Sequence, residues 1–323
     1  MTQLGVVAIG RNEGERLRRC LLSVLPSAAA VVYVDSGSTD GSAQMARDLG
    51  ATVVDLDMSL PFTAARARNE GFRRLRRAAA LDYVQFVDGD CEVVQGWLPR
   101  AKSFLDDHAD VAAVCGRRRE RHPERSIYNL LCDLEWDTPV GEARACGGDV
   151  LMRAGAVEQV GGYRDNLIAG EEPELCVRLR AAGWKVWRLD AEMTLHDAAM
   201  TRFGQWWSRA TRAGFAFAEG ARLHGKPPER HWVRESRSAW LWGFVLPVAI
   251  LLSVAVWGPG ALWLALIYPM QVVRLSLRGG APTRARAVRA FFLVLGKFAE
   301  AWGQLRYTWR ELRGGPARLI EYK

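Results

Sequence analysis

Short apolar segments alternate with amphipathic helical patterns through the first 200 residues of the chain. Segments rich in β-branched or aromatic residues predict strands at Leu4–Ile9, Ala30–Val34, Thr52–Asp55, Tyr83–Val87 and Val111–Cys115. Between the first two strands, Leu17, Leu21 and Val24 share one helical face, and a polar cap cluster predicts a further helix over residues 40–49. Repeated βα units predict an α/β fold with a mostly parallel sheet covered on both faces, whose ligands bind beyond the carboxyl ends of the strands.

The C-terminal part has a different pattern, with no charged residue from Ser238 to Val273. One helix over those residues would be ~54 Å long, against ~30 Å for the hydrocarbon core of a bilayer. Because Gly258-Pro259-Gly260 breaks the run, we expect a membrane hairpin with crossings at Ala239–Trp257 and Ala261–Leu277. A buried helical hairpin of a soluble domain is the alternative.

The net charge of +8 belongs to this C-terminal part, since residues 236–323 contain 12 Lys and Arg against 3 Asp and Glu. Arginines flank both ends of the uncharged run, which predicts that both flanks are cytoplasmic. No signal-peptide pattern opens the chain. We therefore expect the protein on the cytoplasmic face of the inner membrane. The nearly neutral first 235 residues argue against a nucleic-acid partner.

These patterns divide the chain into three predicted parts. Residues 1–235 form a catalytic α/β domain, residues 236–278 the membrane hairpin, and residues 279–323 a basic juxtamembrane amphipathic segment. The aromatic and basic stretch from Val288 to Tyr307 either lies in the membrane surface or packs as a helix on the rest of the protein. Six cysteines without CxxC spacing are interpreted as small apolar core residues.

Two polar motifs follow predicted strands and are the first candidates for chemistry. Residues 35–42 read DSGSTDGS, a turn that either binds a ligand or only caps a helix. Asp88-Gly89-Asp90 places two carboxylates around a glycine, an arrangement suited to a divalent cation shared with phosphate oxygens. Either motif alone is common, so neither identifies a function by itself.

Together with three other segments, the motifs resemble glycosyltransferase family 2. The segments, in chain order, are VVYVDSGSTDGS, FTAARARNEGF, VQFVDGD, GGDVLMRAGAVEQVGGY and GEEPELCVRLRAAGW. The resemblance covers roughly residues 3–200. It implies a GT-A fold, a nucleotide-diphospho-sugar donor, a divalent metal (Mg²⁺ or Mn²⁺) and inversion at the anomeric carbon.

The same resemblance implies donor-binding residues. Asn12 and Glu13 lie in the first nucleotide-binding loop, and Asp35 matches the carboxylate that contacts the nucleobase. Arg66 or Arg68 matches the basic residue near the diphosphate.

It also implies metal-binding and catalytic residues. Asp88 and Asp90 match the metal-and-ribose pair, with Asp90 as the direct ligand, and His196 is either a third ligand or a structural histidine. Glu172 stands where the family usually has an aspartate base, which leaves open whether Glu171 or Glu172 faces the acceptor. Without the resemblance, both glutamates would be interpreted as ordinary acidic residues in the first turn of a helix.

Two further groups of residues have an open role. Trp206 and Trp207 stack on sugars, lie at the membrane interface or pack in the core. A cluster of arginines either binds an anionic acceptor or belongs to a solvated loop; its members are Arg117, Arg118, Arg119, Arg121 and Arg125.

The expected activity is transfer of one sugar to an acceptor hydroxyl. We expect a lipid-linked saccharide of envelope polysaccharide or glycolipid synthesis as acceptor, because a membrane anchor concentrates such a substrate in two dimensions. Direct transfer to polyprenyl phosphate, which makes an activated lipid donor, is a close alternative. A catalytically silent membrane scaffold that binds nucleotide or glycan is an alternative from another class.

Overall fold

A computed structural model describes residues 3–78, 80–278 and 283–314. The chain divides into two compact units, an N-terminal unit that ends at Thr201 and a C-terminal unit that begins at Arg202. The division falls before the domain boundary predicted at residue 235, because the helix that follows Arg202 packs with the C-terminal helices. The predicted division into a catalytic domain, a membrane hairpin and a juxtamembrane segment stays a prediction.

The described part of the N-terminal unit contains nine strands and seven α-helices. The strands are β1 (Leu4–Gly10), β2 (Ala30–Asp35), β3 (Thr52–Asp55), β4 (Tyr83–Asp88), β5 (Cys91–Val93), β6 (Val111–Glu120), β7 (Gly141–Glu142), β8 (Val150–Arg153) and β9 (Lys185–His196). The helices are α1 (Glu15–Val24), α2 (Ser42–Asp48), α3 (Ala64–Ala78), α4 (Trp97–Asp107), α5 (Ile127–Glu135), α6 (Ala154–Gln159) and α7 (Glu171–Ala181). All five predicted strands are present and begin at the predicted residues.

The strands form one mixed sheet in the order β3-β2-β1-β4-β8-β6-β9-β5, with β7 beside β9. Strands β3, β2, β1 and β4 run parallel, as do β6 and β9. The short strand β8 is antiparallel to both β4 and β6, and β5 and β7 are antiparallel to β9. The sheet therefore contains more antiparallel pairing than the βα pattern predicts. The pattern does not reveal β5, β7 and β8, because these strands are too short to give a periodic signal.

Alternate residues of β1 enter hydrophobic cores on opposite faces of the sheet. Val6 packs in one core with Leu17 and Leu21 of α1. Val7 packs in the other core with Leu75 of α3. Both faces are thus covered by helices, as predicted, and the loops at the carboxyl ends of the strands are left to carry polar residues.

The C-terminal unit is helical in its described part. Its elements are α8 (Phe203–His224), α9 (Val233–Trp240), a π-helical turn (Leu241–Val245), α10 (Leu246–Trp257), a 3₁₀ segment (Pro259–Leu266), α11 (Ile267–Ser276) and α12 (Arg284–Arg313).

A continuous helical stretch from Val233 to Trp257 is the one span in the described residues that is long and apolar enough to cross a membrane. The chain turns at Gly258, whose φ of 83° suits glycine. The predicted second crossing, Ala261–Leu277, instead contains the 3₁₀ segment and the short helix α11. This segment nevertheless runs back beside the helical stretch Val233–Trp257, which we call the first limb, since the Tyr268 hydroxyl donates to the Trp242 carbonyl oxygen.

Helix α12 packs against α8 through glycines, so the packed-helix interpretation of residues 288–307 describes this part of the chain. A Cβ on Gly214 would lie 2.0 Å from the carbonyl oxygen of Glu300, and one on Gly303 would lie 2.0 Å from that of Thr211. The two backbones therefore touch. Trp206 is buried with its ring 4.9 Å from that of Phe292, which agrees with the core-packing interpretation of this tryptophan.

The α8–α12 contact predicts opposite effects for two glycine substitutions in one helix. Gly214→Ala should destabilise the C-terminal unit by about 1–3 kcal/mol, because the added methyl overpacks against backbone. Gly204→Ala, with nothing within 4 Å of its Cβ, should stabilise α8 by up to ~1 kcal/mol. Thermal unfolding followed by circular dichroism measures both, and equal midpoints for the two variants would contradict the described contact.

Candidate active site

Strand register brings together the carboxylates and the histidine singled out in the sequence. Strand β5 pairs antiparallel with β9, so that Cys91 lies opposite His196 and Asp90 lies beside it. The parallel pairing of β6 with β9 places Glu120 opposite the same histidine. As a result, His196 Nε2 lies 3.2 Å from Asp90 Oδ2, and its Nδ1 lies 3.7 Å from Glu120 Oε2. Asp88, at the end of β4, lies two residues before Asp90.

Two overlapping groups of side chains have ligand atoms close enough to share a cation: Asp90, Cys91 and His196, and Asp88, Cys91 and Asp149. Burial, reinforced by the Asp149 carboxylate, raises the pKa of the Cys91 thiol well above its ordinary value. The donors that remain are carboxylate oxygens and an imidazole, which suit a hard or borderline divalent ion. The Glu120 carboxylate lies behind the imidazole, but at 3.7 Å from Nδ1 it is too far for a hydrogen bond.

A buried arginine of one helix joins acidic residues from two other elements. Arg68 of α3 lies 2.7 Å from Asp88 Oδ1 through Nη2 and 2.7 Å from Glu171 Oε1 through Nη1. Arg66, the other candidate for the diphosphate, turns away and donates to the carbonyl oxygens of Pro61 and Asp57. Of the two predicted arginines, only Arg68 therefore belongs to this cluster.

The two glutamates at the start of α7 occupy different environments. Glu171 pairs with the buried arginine, whereas Glu172 is 2% exposed and faces the turn at residues 146–147. The Cys146 and Gly147 N–H groups donate to its two carboxylate oxygens at 2.8 Å each, and the Cys176 thiol donates at 2.9 Å. Burial raises the pKa of Glu172, and the hydrogen bonds from Cys176, Cys146 and Gly147 partly oppose this shift.

The predicted nucleotide loops lie at the same edge of the sheet. Gly10 of β1 pairs with Asp35 at the end of β2. One oxygen of Asp35 accepts from two backbone N–H groups of the following turn, at 2.8 and 3.0 Å. Asn12 links the two loops, because its side-chain oxygen accepts from Thr39 N–H at 2.8 Å. Glu13 forms an ion pair with Arg16, at 2.7 Å.

Asp149 and Arg118 belong to the site but were not assigned to it from the sequence. Asp149 is fully buried, accepts from Asp88 N–H at 3.0 Å and from Thr194 Oγ1 at 2.8 Å, and lies 2.8 Å from Arg118 Nη2. The arginine also lies 5.4 Å from the Trp136 ring centroid. Asp149 stands inside the segment GGDVLMR that carries the family resemblance, which is the signal that could have found it.

The arginine cluster is split by strand geometry. Arg117, Arg118 and Arg119 lie on β6 and not in a loop, because this strand continues five residues beyond the predicted end at Cys115. Arg119 points to solvent and pairs with Glu192, whereas Arg118 points into the acidic cluster. The solvated-loop interpretation is therefore wrong for the part of the cluster on β6.

Comparison with known proteins fits this arrangement. Residues 6–144 match the sequence model of the family described as glycosyl transferase family 2. This match supports the resemblance of the chain to glycosyltransferase family 2. The sheet and its helices have the GT-A fold of that family. This confirms the recognition and the fold class predicted from the motifs.

Individual relatives are similar to this chain over only part of their length. Glycosyltransferase AglE of Haloferax volcanii is 26% identical over 54% of this chain and 60% of its own. Succinoglycan biosynthesis protein ExoA of Rhizobium meliloti is 28% identical over 52% of this chain and 54% of its own. The chain spans between half and three fifths of the length of these curated relatives.

Solved structures share the fold over a larger part of the chain. The mannosyltransferase PcManGT from Pyrobaculum calidifontis, in complex with GDP-Man and Mn²⁺, superposes with a TM-score of 0.64 at 20% identity. The alignment covers 94% of this chain and 87% of that one. Residues 1–349 of Staphylococcus aureus TarS give a TM-score of 0.53 at 13% identity, covering 96% and 92%.

Neighbouring arginines on β6 provide a matched test of the buried cluster. Arg118→Gln leaves the fully buried Asp149 without its cationic partner and should lower the free energy of unfolding by about 3 kcal/mol. Arg119→Gln removes an ion pair whose side chains are 49% and 43% exposed, so its cost should stay below ~1 kcal/mol. Chemical denaturation gives both values, and a cost for Arg118→Gln as small as that for Arg119→Gln would contradict the buried pairing.

Proposed function

We propose that the chain transfers one sugar from a nucleotide-diphospho-sugar to an acceptor hydroxyl, with inversion and with the help of a divalent cation. The observation that carries the proposal is the convergence of Asp88, Asp90 and His196 at the carboxyl ends of the strands, beside the nucleotide loops. Loops at that edge are where α/β sheets bind nucleotides.

The charge of the cluster favours a divalent cation. Its five carboxylates exceed its two guanidinium groups by three negative charges; the members are Asp88, Asp90, Glu120, Asp149, Glu171, Arg68 and Arg118. We propose that Asp90 and His196 bind the ion directly, with Asp88 beside them. A bound Mg²⁺ or Mn²⁺ would neutralise negative charge that develops on the leaving nucleoside diphosphate.

Related structures support the donor and the cation. Besides the complex of PcManGT with GDP-Man and Mn²⁺, glucosyl-3-phosphoglycerate synthase from Mycobacterium tuberculosis was solved with Mn²⁺ and UDP-glucose. Its alignment has a TM-score of 0.50 at 18% identity and covers 70% of this chain and 80% of that one. We propose the same class of donor here, bound by Asn12, Glu13, Asp35 and Arg68.

Glu172 is our candidate for the base that takes the proton of the acceptor hydroxyl. Its raised pKa gives its carboxylate the stronger proton affinity that general-base catalysis needs. Glu171 is less suited, because its carboxylate is already engaged by the buried Arg68. Among the hydrogen bonds described, Glu172 Oε2 accepts only the Gly147 N–H, which leaves a lone pair for the proton of an acceptor hydroxyl.

We further propose that the C-terminal unit anchors the protein on the cytoplasmic face of the membrane. The proposal rests on apolar side chains of this unit that point outward: Leu251 and Leu252 are 66% and 62% exposed, and Trp257 and Trp263 are each 75% exposed. Only 11% of the most apolar part of Val233–Trp257 is buried. Exposed apolar surface on this scale is typical of a membrane or protein contact.

A membrane anchor supports an acceptor that is itself a lipid. We propose a lipid-linked saccharide of envelope polysaccharide or glycolipid synthesis, with polyprenyl phosphate as the alternative acceptor. Product analysis with polyprenyl phosphate and with a preloaded lipid-linked sugar separates the two. A silent scaffold would release no nucleoside diphosphate from any nucleotide sugar.

The first test of the proposed function measures release of nucleoside diphosphate from a panel of nucleotide sugars. Chelation should abolish release and added Mn²⁺ or Mg²⁺ should restore it, because the cation stabilises the leaving group. Asp90→Asn should lose turnover while the fold remains intact, since a strand-end loop contributes little to the core.

Asp110→Asn is the control. Asp110 lies in the turn before β6, is 55% exposed, and pairs with Lys185 at the start of β9. This variant should keep wild-type activity. Full cation-stimulated release by Asp90→Asn would exclude Asp90 as a ligand.

The second test concerns the base. Glu172→Gln should lower turnover about 10²–10⁴-fold with little change in donor affinity. The wild-type rate should rise with pH through the raised pKa of Glu172, because only the ionised form accepts a proton. Glu172→Asp keeps a carboxylate and should retain this acid limb in the pH profile.

The Glu171→Gln variant is the matched comparison for the base. It breaks the ion pair with Arg68 and should weaken donor binding more than it changes the pH profile. A large loss of turnover in this variant, together with an active Glu172→Gln, would assign the base to Glu171.

A further inference from the structure

The outward face of α11 forms an apolar groove that the proposed reaction does not use. Met270, Val273 and Leu277 follow one another at helical spacing and are 69%, 56% and 54% exposed. Together with Leu266 and Pro269 they line a groove of about 680 Å³. The groove therefore offers a hydrocarbon chain a continuous apolar surface along α11.

Two arginines line the same groove towards the C-terminal end of α11. Arg274 follows Met270 by four positions and Arg278 follows Arg274 by four, and both line the groove. The polar neighbour of Arg274 is the uncharged side chain of Gln271, at 3.5 Å. In the described part of the chain, no carboxylate pairs with either arginine. The groove thus combines an apolar length with two cationic groups.

Contacts within the C-terminal unit fix the depth of these arginines. The Tyr268 hydroxyl donates to the Trp242 carbonyl oxygen at 2.8 Å, so α11 runs back beside the first limb in a defined register. At 1.5 Å per residue, Arg274 lies ~9 Å along α11 from Tyr268, and Arg237 lies ~7.5 Å from Trp242 along the first limb. The groove arginines therefore lie level with the basic flank of the span, where lipid headgroups would be.

The groove also faces away from the rest of the unit. Tyr268, two residues from Met270 and hence on the other side of α11, contacts Trp242 and Phe298. The groove is open on its outer side, where the proposed membrane would present lipid.

We propose that this groove binds an anionic phospholipid, with the acyl chain along Met270, Val273 and Leu277 and the phosphate between Arg274 and Arg278. The inference rests on the proposed membrane anchoring. An acyl chain matches the apolar length of the groove. The phosphate supplies an anionic partner for the two arginines, which pair with no carboxylate in the described residues. Arginine binds phosphate through several N–H donors, which makes this end of the groove selective for charge.

The test uses the full chain in neutral detergent micelles, titrated with phosphatidylglycerol or with phosphatidylcholine of the same acyl chains. Native mass spectrometry measures the lipid retained by each chain. We expect one phosphatidylglycerol bound in preference to phosphatidylcholine. Arg274→Gln/Arg278→Gln should weaken its binding roughly ten- to thirty-fold, the loss expected for two cationic contacts.

A matched control removes the same charge elsewhere. Arg284→Gln/Arg289→Gln alters two exposed arginines at the start of α12 and should leave retention of phosphatidylglycerol unchanged. Equal weakening by both double variants would mean that only overall charge matters, and would overturn the proposed site. Equal retention of the two lipids would overturn it as well.

A competition experiment separates the two sources of a lipid phosphate. If a long-chain polyprenyl phosphate displaces phosphatidylglycerol at equimolar concentration, the groove is an acceptor site and the phospholipid assignment is wrong. Donor hydrolysis is measured in the same preparations. Loss of lipid selectivity with normal hydrolysis would refute only this inference, whereas absent hydrolysis with intact lipid selectivity would refute only the proposed transferase.

Discussion

The buried guanidinium of Arg68 is the interaction on which the N-terminal site depends. Its side chain is 3% exposed and contacts Asp88 from β4 and Glu171 from α7 at 2.7 Å each. A cation buried to this extent is tolerable only with both carboxylates in place, and each carboxylate is likewise held by the arginine. One side chain from α3 thereby fixes the end of a central strand relative to the start of the helix that carries both candidate bases.

Much of the fold follows from local patterns in the sequence. The strands of the N-terminal half are apolar segments between helical patterns, and their starts at Leu4, Ala30 and Tyr83 agree with the structure. The short antiparallel strand β8 has four residues, too few for a periodic signal, and its position between β4 and β6 comes from long-range pairing. The same limit applies to Ala261–Leu277, where composition reveals an apolar segment but not its change from 3₁₀ to α-helical geometry.

The candidate site could be predicted where its residues stand in recognisable motifs. Asp88 and Asp90 flank a glycine after a strand, and His196 follows an apolar run, so each has a local signal. Asp149 stands in the segment GGDVLMR, but Glu120 has no local signal, because the pairing of β6 with β9 is what brings it into the cluster. The sequence alone also cannot distinguish the two glutamates of α7. Both are buried, and they differ in their partners: Glu172 binds a turn some 25 residues earlier in the chain, whereas Glu171 pairs with Arg68.

Because the pairing of three-residue β5 with the end of β9 places Asp90 beside His196, the competence of the site depends on the stability of that short ladder. Opening of that short ladder would separate the two groups and would also expose Cys91 and Val93, which pack in the core beside α1. The apparent dissociation constant of a cation bound there equals its intrinsic value divided by the closed fraction. Substitutions in β5 would then change cation affinity without touching a ligand, and bound cation would slow hydrogen exchange at the end of β9.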